Sequence, residues 1–341
     1  MTTGAGDLDD DVVRWLLTGD VAVQFQTHRD LLDESRTDLQ ARIATEGVGA
    51  AILRARDHGG WGRGFYEPKW TCAHYSLLEL RDLAVAEREP LCTDAVAAAL
   101  RELKGQDGGF NPSDSVKQSD VCMNGMFLAF ASYFAADALA LHSVVDFVLA
   151  QQLPAGGFNC RHNRSGATTA SVHSTTSVID GFAEYLRRGY SYRADAVRSA
   201  IDSAVEVMLG RRLYQRRTDG EPIRAEFTRF HEPPRWHFDV LRGLDVLRSA
   251  GVADDQRLTD ALDIVRKRRR ADGRWAGAAQ YPGETHVTYA RAGTPNRWVT
   301  MRALRVLRHF ASSRPVSELT PTSIPDAHGM PPDPWSPAST L

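Results

Sequence analysis

The chain has 341 residues, 43% hydrophobic and 25% charged, and its 41 basic against 43 acidic side chains leave a formal net charge of −2. That composition is an ordinary globular one. The near-balanced charge lacks the footprint of a nucleic-acid binder, and no stretch approaches the roughly 20 apolar residues a membrane span needs, so a small-molecule substrate is the expected partner. Met1 to Asp11 are acidic and small, unlike a secretory signal, and a cytoplasmic location is expected. The four cysteines, at 72, 92, 122 and 160, are too few and too scattered for a disulfide framework and are expected as thiols or metal ligands.

In chain order, the pattern is a repeat. Glycine followed by an aromatic recurs as Gly59-Gly60-Trp61, Gly108-Gly109-Phe110, Gly156-Gly157-Phe158 and Gly273-Arg274-Trp275, with a degenerate Asp219-Gly220-Glu221 between the last two. The period is about fifty residues, enough for two helices and a loop. Each unit carries a polar start, a nearly all-apolar run, a break, and a run with one apolar face. The first run predicts a buried inner helix, the second an amphipathic outer one. Inner helices are expected to begin near Asp20, Thr71, Asp120, Ser171, Arg235 and Arg297. Outer helices are expected over about 37 to 57, 92 to 104, 140 to 152, 193 to 210 and 256 to 270, with Asp9 to Leu17 as the sixth. Six inner helices ringed by six outer ones, closed by pairing the N-terminal outer helix with the last inner one, make an all-α fold, an α/α toroid. No alternation is long enough to argue for a sheet. One domain over residues 1–310 is expected, followed by a tail, 311–341, whose prolines at 315, 321, 325, 331, 332, 334 and 337 predict a poorly ordered or surface-bound segment.

The repeated Gly-Gly-Trp/Phe loops, with Gln106-Asp107-Gly108-Gly109-Phe110, resemble the prenyltransferase and squalene-oxidase repeat superfamily, which includes terpenoid cyclases and protein prenyltransferase β subunits. The resemblance covers residues 10 to 310 and implies a squalene cyclase-like toroid. It does not choose among activities.

In a toroid the first turns of the inner helices gather at one end of the central space, so the residues there are the candidate site. In order they are Trp70, Cys72 and His74; Asp120 and Cys122; Ser171, His173, Ser174 and Thr175; Arg235, Trp236, His237 and Asp239; and Arg297 and Trp298. Asp120-x-Cys122 followed one repeat later by His173 resembles the zinc site of prenyltransferase β subunits, with Lys117 at a diphosphate-contacting position; Asp114 and Met123 depart from that pattern. Cys160 competes as a ligand, since Cys122, Cys160 and His173 would resemble the Cys-Cys-His zinc set of lanthipeptide cyclases. Thiolate, imidazole and carboxylate suit Zn2+, and three protein ligands leave a position open for chemistry. The bland alternative is a capped helix start with buried Cys122 and His173.

A second constellation runs from Thr228 to Asp239. Here His237 is expected as a general acid or base oriented by Asp239, with Arg235 and Arg297 holding an anion and Trp70, His74, Trp236 and Trp298 contacting substrate. Glu284, His286 and Tyr289 can join the same mouth. The run Asp7-Leu8-Asp9-Asp10 matches the acid motif of class II terpene cyclases but reads as negative charge at a helix start, and Arg266 to Arg270 reads as a solvated helix end. The expected function is a zinc-dependent transferase, lyase or cyclase, the metal activating a thiol or water nucleophile on a small or isoprenoid-like substrate. The alternatives are a metal-free terpenoid cyclase and a non-catalytic protein-binding toroid; a prenyltransferase β subunit would also need a helical partner.

Overall fold

The computed structural model describes residues 9–56, 61–113 and 115–312. Asp7, Leu8, Gly59, Gly60, Asp114 and the tail beyond Ser312, Trp335 included, lie outside the described residues. The helices are α1 Asp10–Leu17, α2 Val21–Leu31, α3 Thr37–Arg42, α4 Gly47–Arg54, α5 Ala73–Asp82, α6 Pro90–Glu102, α7 Val121–Tyr133, α8 Ala138–Ala150, the single turn α9 His162–Ser165, α10 Val172–Arg187, α11 Ala194–Leu209, α12 Val240–Ser249, α13 Thr259–Lys267 and α14 Arg297–Ser312. Among the described residues, β-structure is limited to three isolated bridges, and no helix is long and apolar enough to cross a membrane.

The inner helices α2, α5, α7, α10, α12 and α14 form a closed ring. Contacts link α5 to α7, α7 to α10, α10 to α12, α12 to α14 and α14 to α2. The α2–α5 join is made by Gln26 Nε2, which donates to the carbonyl of Asp82 over 3.0 Å. Outer helices alternate with the inner ones along the chain, so the protein is an α/α toroid. The sixth outer helix, α1, reaches the start of α14, where Arg297 Nε donates to the carbonyl of Trp15.

Two expected elements differ. The outer run 37–57 is broken into α3 and α4, because Gly47 takes a left-handed turn with φ +63° and Asp20 accepts there from Val48 N as well as from Ala22 N at the start of α2. A Cβ at Gly47 would lie 2.1 Å from that carboxylate. The fifth inner helix starts at Val240 rather than near Arg235. Pro233 and Pro234 carry no N–H, Arg235 is left-handed at φ +56°, and Asp239 caps the helix by accepting from Arg242 N at 2.8 Å.

The glycine-aromatic loops act as stitches between repeats. Phe110 N donates to Asn124 Oδ1 (2.6 Å), Phe158 N to Thr175 Oγ1 (3.1 Å) and Trp275 N to Thr300 Oγ1 (3.0 Å). Each acceptor lies in the first turn of the following inner helix, four residues after Asp120, Ser171 and Asn296, and each bond is buried. Trp61 and Trp275 also donate their indole N–H to carbonyls of the preceding outer helices, at Ile52 and Val265.

The closest inner pair is α7 with α10. A Cβ at Gly125 would sit 2.6 Å from the carbonyl of Ser177, and one at Gly181 would sit 2.2 Å from the carbonyl of Gly125. Neither backbone can yield without moving a helix. Gly125→Ala and Gly181→Ala should each lower unfolding stability in urea by about 1–3 kcal/mol, the usual cost of overpacking, with helix content retained; unchanged stability would show that the ring absorbs the displacement.

Candidate functional site

Three donors converge at the N-terminal end of the ring. Asp120 caps α7, accepting from Met123 N at 3.1 Å, and the same Oδ1 lies 3.1 Å from Cys122 Sγ and 3.3 Å from Cys160 Sγ. The ligand atoms of Asp120, Cys122 and Cys160 all fall within 4.8 Å of one another. Around them, Cys122 N donates to Cys160 Sγ (3.3 Å), Cys160 Sγ lies 3.0 Å from Ser174 Oγ, and Arg164 reaches Asp120 Oδ2 at 3.5 Å. Hydrogen bonding with Cys160, burial and the carboxylate of Asp120 together push the Cys122 thiol well up. The Cys122 thiol therefore gives up its proton only when a cation offsets the charge beside it.

The donor set fits a zinc ion. Tetrahedral bonds of 2.3 Å to sulfur and about 2 Å to oxygen place ligand atoms about 3.5 Å apart, close to the observed 3.1 and 3.3 Å. His173 is not brought to this cluster. Its Nδ1 accepts from the backbone N–H of Phe238 at 2.9 Å, which leaves the proton of the neutral ring on Nε2, and burial beside Arg242 and Arg224 lowers its pKa to about 4.

The second constellation is taken up by structural bonds. His237 is stacked on Tyr281 (centroids 3.6 Å apart) and Trp236 (3.8 Å), and burial with neighbouring His173 and His231 lowers its pKa to about 3, which favours the neutral ring. Asp239 does not orient it, being engaged as the cap of α12. Arg235 is buried, 3.3 Å from Glu79, and donates to the carbonyl of Trp70; Arg297 is spent on Trp15, holding α1. Trp70 is 4% exposed and donates Nε1 to the carbonyl of Pro282, while His286 Nε2 pairs with Ser76 Oγ. His74 is wholly buried with neither ring nitrogen partnered. Lys117 is exposed, Trp236 is half-buried on the same end of the ring, and Trp298 lines the central cavity.

A cavity within the ring was expected, but its charged lining was not. Its volume is about 370 Å3, and its wall runs from the underside of the 232–234 segment to the C-terminal ends of the inner helices. Eight arginines and seven carboxylates line it. Arg81 pairs with Asp180 (2.9 Å), Arg302 with Glu232 (2.5 Å), and Arg305 bridges Asp30 (3.0 Å) and Asp245. The surroundings drive the carboxyls apart: burial pushes Glu232 up to about 7 and raises Glu79 and Asp82, whereas Arg305 and its arginine neighbours overcome burial and hold Asp245 and Asp30 low. Asp120, Cys122 and Cys160 are not part of its wall.

Burial lowers the pKa of His74 from 6.5 to about 3. The unfolded chain therefore takes up a proton that the folded chain refuses, so the contribution of this site is undiminished above pH 6.5 and falls as pH drops toward 3. Because the raised carboxyls contribute with the opposite sign, the informative quantity is a difference. His74→Phe should gain on the wild type by about 1.4 kcal/mol per pH unit below pH 6.5 in urea titrations; parallel pH profiles would place the ring in contact with water.

No family model and no curated protein matches the chain. Among solved structures, a polysaccharide lyase is 10% identical, with 94% of this chain and 93% of that one covered and a TM-score of 0.47. The type II terpene cyclase MstE from Scytonema is 15% identical, covering 81% of this chain and 98% of that one with a TM-score of 0.35. A glycosidase is 14% identical, covering 88% and 98%, with a TM-score of 0.32.

Proposed function

We propose that the chain is a zinc-dependent enzyme acting on a small organic substrate, its metal held by Asp120, Cys122 and Cys160. The observation that carries this reading is the meeting of two thiols and a carboxylate from the start of α7 and the loop before α10. A bound zinc ion would supply Lewis acidity, lowering the pKa of a water or thiol at its open position. The chain's own residues do the rest. The Cys122 N–H stabilises negative charge on Cys160 Sγ, Ser174 fixes the rotamer of Cys160, and Arg164 orients Asp120 while contributing positive charge beside it. On the same end of the ring, the half-buried Trp236, His237 and Tyr281 stack offers the apolar faces that an organic substrate, isoprenoid-like ones included, would lie against. His237 acts there as a neutral wall. Water or the substrate itself then carries the proton.

Elemental analysis tests this directly. The wild-type chain should carry about one zinc, Cys122→Ala and Cys160→Ala should each lose most of it with helix content intact, and His173→Ala should keep it. Equimolar metal surviving both cysteine substitutions would refute the site, and metal lost in His173→Ala would restore the histidine-containing ligand set.

A further inference from the structure

We propose that the central cavity is a second site, distinct from the metal centre, that binds a small organic oxyanion, a carboxylate or a phosphate ester, entering from the C-terminal end of the ring. Two guanidinium N–H groups in its wall have no acceptor in the protein: Arg302 Nε and Arg81 Nη1, both buried. Arg302 is 8% exposed, and its Nη2 is already committed to the carbonyl of His231 (2.9 Å) and to Glu232. A buried guanidinium donor left unmatched is destabilising, and its forked geometry matches the paired oxygens of a carboxylate or phosphate. Arg81 and Arg302 already face Asp180 and Glu232, so what the cavity leaves unmet is the acceptor for these two N–H groups, which a water or an oxyanion oxygen can supply and which an oxyanion supplies with charge-assisted strength.

The charge points the same way. Eight arginines against seven carboxylates line the wall, a formal excess of one positive charge among the lining residues. A protonated Glu232 would add a donor next to Arg302. At the entrance, Arg29 and Arg187 keep 45% and 43% of their side chains exposed beside Arg188 and Arg248, guanidinium groups that an entering anion can reach although each is paired with a carboxylate, Asp30, Glu184, Glu87 or Asp245. Two features thus coincide at one cavity: unmatched guanidinium donors inside and part-exposed arginines at its entrance.

Calorimetric titration of the full chain with citrate and with inorganic phosphate, and with inositol as an uncharged control, tests the proposal. At least one anion should bind saturably at one per chain, more weakly as salt rises, and inositol should not bind. Citrate alone binding assigns a carboxylate ligand, phosphate alone a phosphate ester. Arg302→Met and Arg81→Met should each lower affinity tenfold or more, and Arg187→Gln, half-exposed at the rim, severalfold. Zinc content should be unchanged in all three, which separates this site from the metal centre. Absence of saturable anion binding by the wild type, or affinity unmoved in whichever of these variants fold, would overturn it.

Discussion

A closed ring of six inner helices encloses a space that their inward side chains must either fill or hydrate, and this protein lines it with charge. The remainder of the structure follows from keeping that charge compensated. Arg305 on α14 meets Asp245 on α12 and Asp30 on α2, so one guanidinium ties together the three helices on either side of the seam where the ring closes. Arg81 on α5 meets Asp180 on α10 across the ring. Removing one partner of such a pair strands the other in low dielectric, a larger loss than the net worth of the pair. The outer shell adds part-exposed pairs of its own, such as Arg257 with Glu206 and Arg212 with Asp260, to its apolar packing.

The same constraint explains why the N-terminal end is closed. The segments 61–72, 229–239 and 280–289 fold over the ring there, pinned by Trp70 to Pro282, Ser76 to His286, and Arg235 to Glu79 and the carbonyl of Trp70. Trp70 and Arg235 both adopt left-handed backbone, at φ +75° and +56°, a conformation that side-chain-bearing residues keep only where their surroundings fix it. With this plug in place, the donor cluster of Asp120, Cys122 and Cys160 faces away from the cavity, and the molecule presents two chemically separate environments.

Helix pattern and repeat were legible because both live in local sequence. Apolar runs and glycine-aromatic loops place five of the six inner helices at their expected starts, and α12 escapes only because two prolines and a left-handed arginine delay its first turn. Asp120, Cys122 and Cys160 were each legible as candidate ligands, with Asp120 and Cys160 as alternatives beside His173; the turning of His173 toward Phe238 was not, because it depends on a loop from another repeat. The charged wall of the cavity went unread for a different reason. Its charges sit on helices taken as nearly all-apolar, at spacings such as Arg242, Asp245 and Arg248, or Arg302 and Arg305. Charges three residues apart on an otherwise buried helix carry the signal of a polar face turned inward.

The stitches between aromatic amide and first-turn side chain give the chain a meter against which its irregular lines can be heard. Repeats beginning at α7, α10 and α14 keep it, through Asn124, Thr175 and Thr300. The corresponding position of α5 is Ser76, whose hydroxyl instead meets His286 from the far side of the chain. In α12 the place belongs to Gly243, which has no side chain to offer and is packed against Phe238. Both of these repeats send their entry segments over the end of the ring, where the segment 280–289, ahead of α14, joins them. A scaffold built from copies can therefore vary locally without losing its frame: the regular units keep the circle, and the units released from stitching are free to shape what closes it.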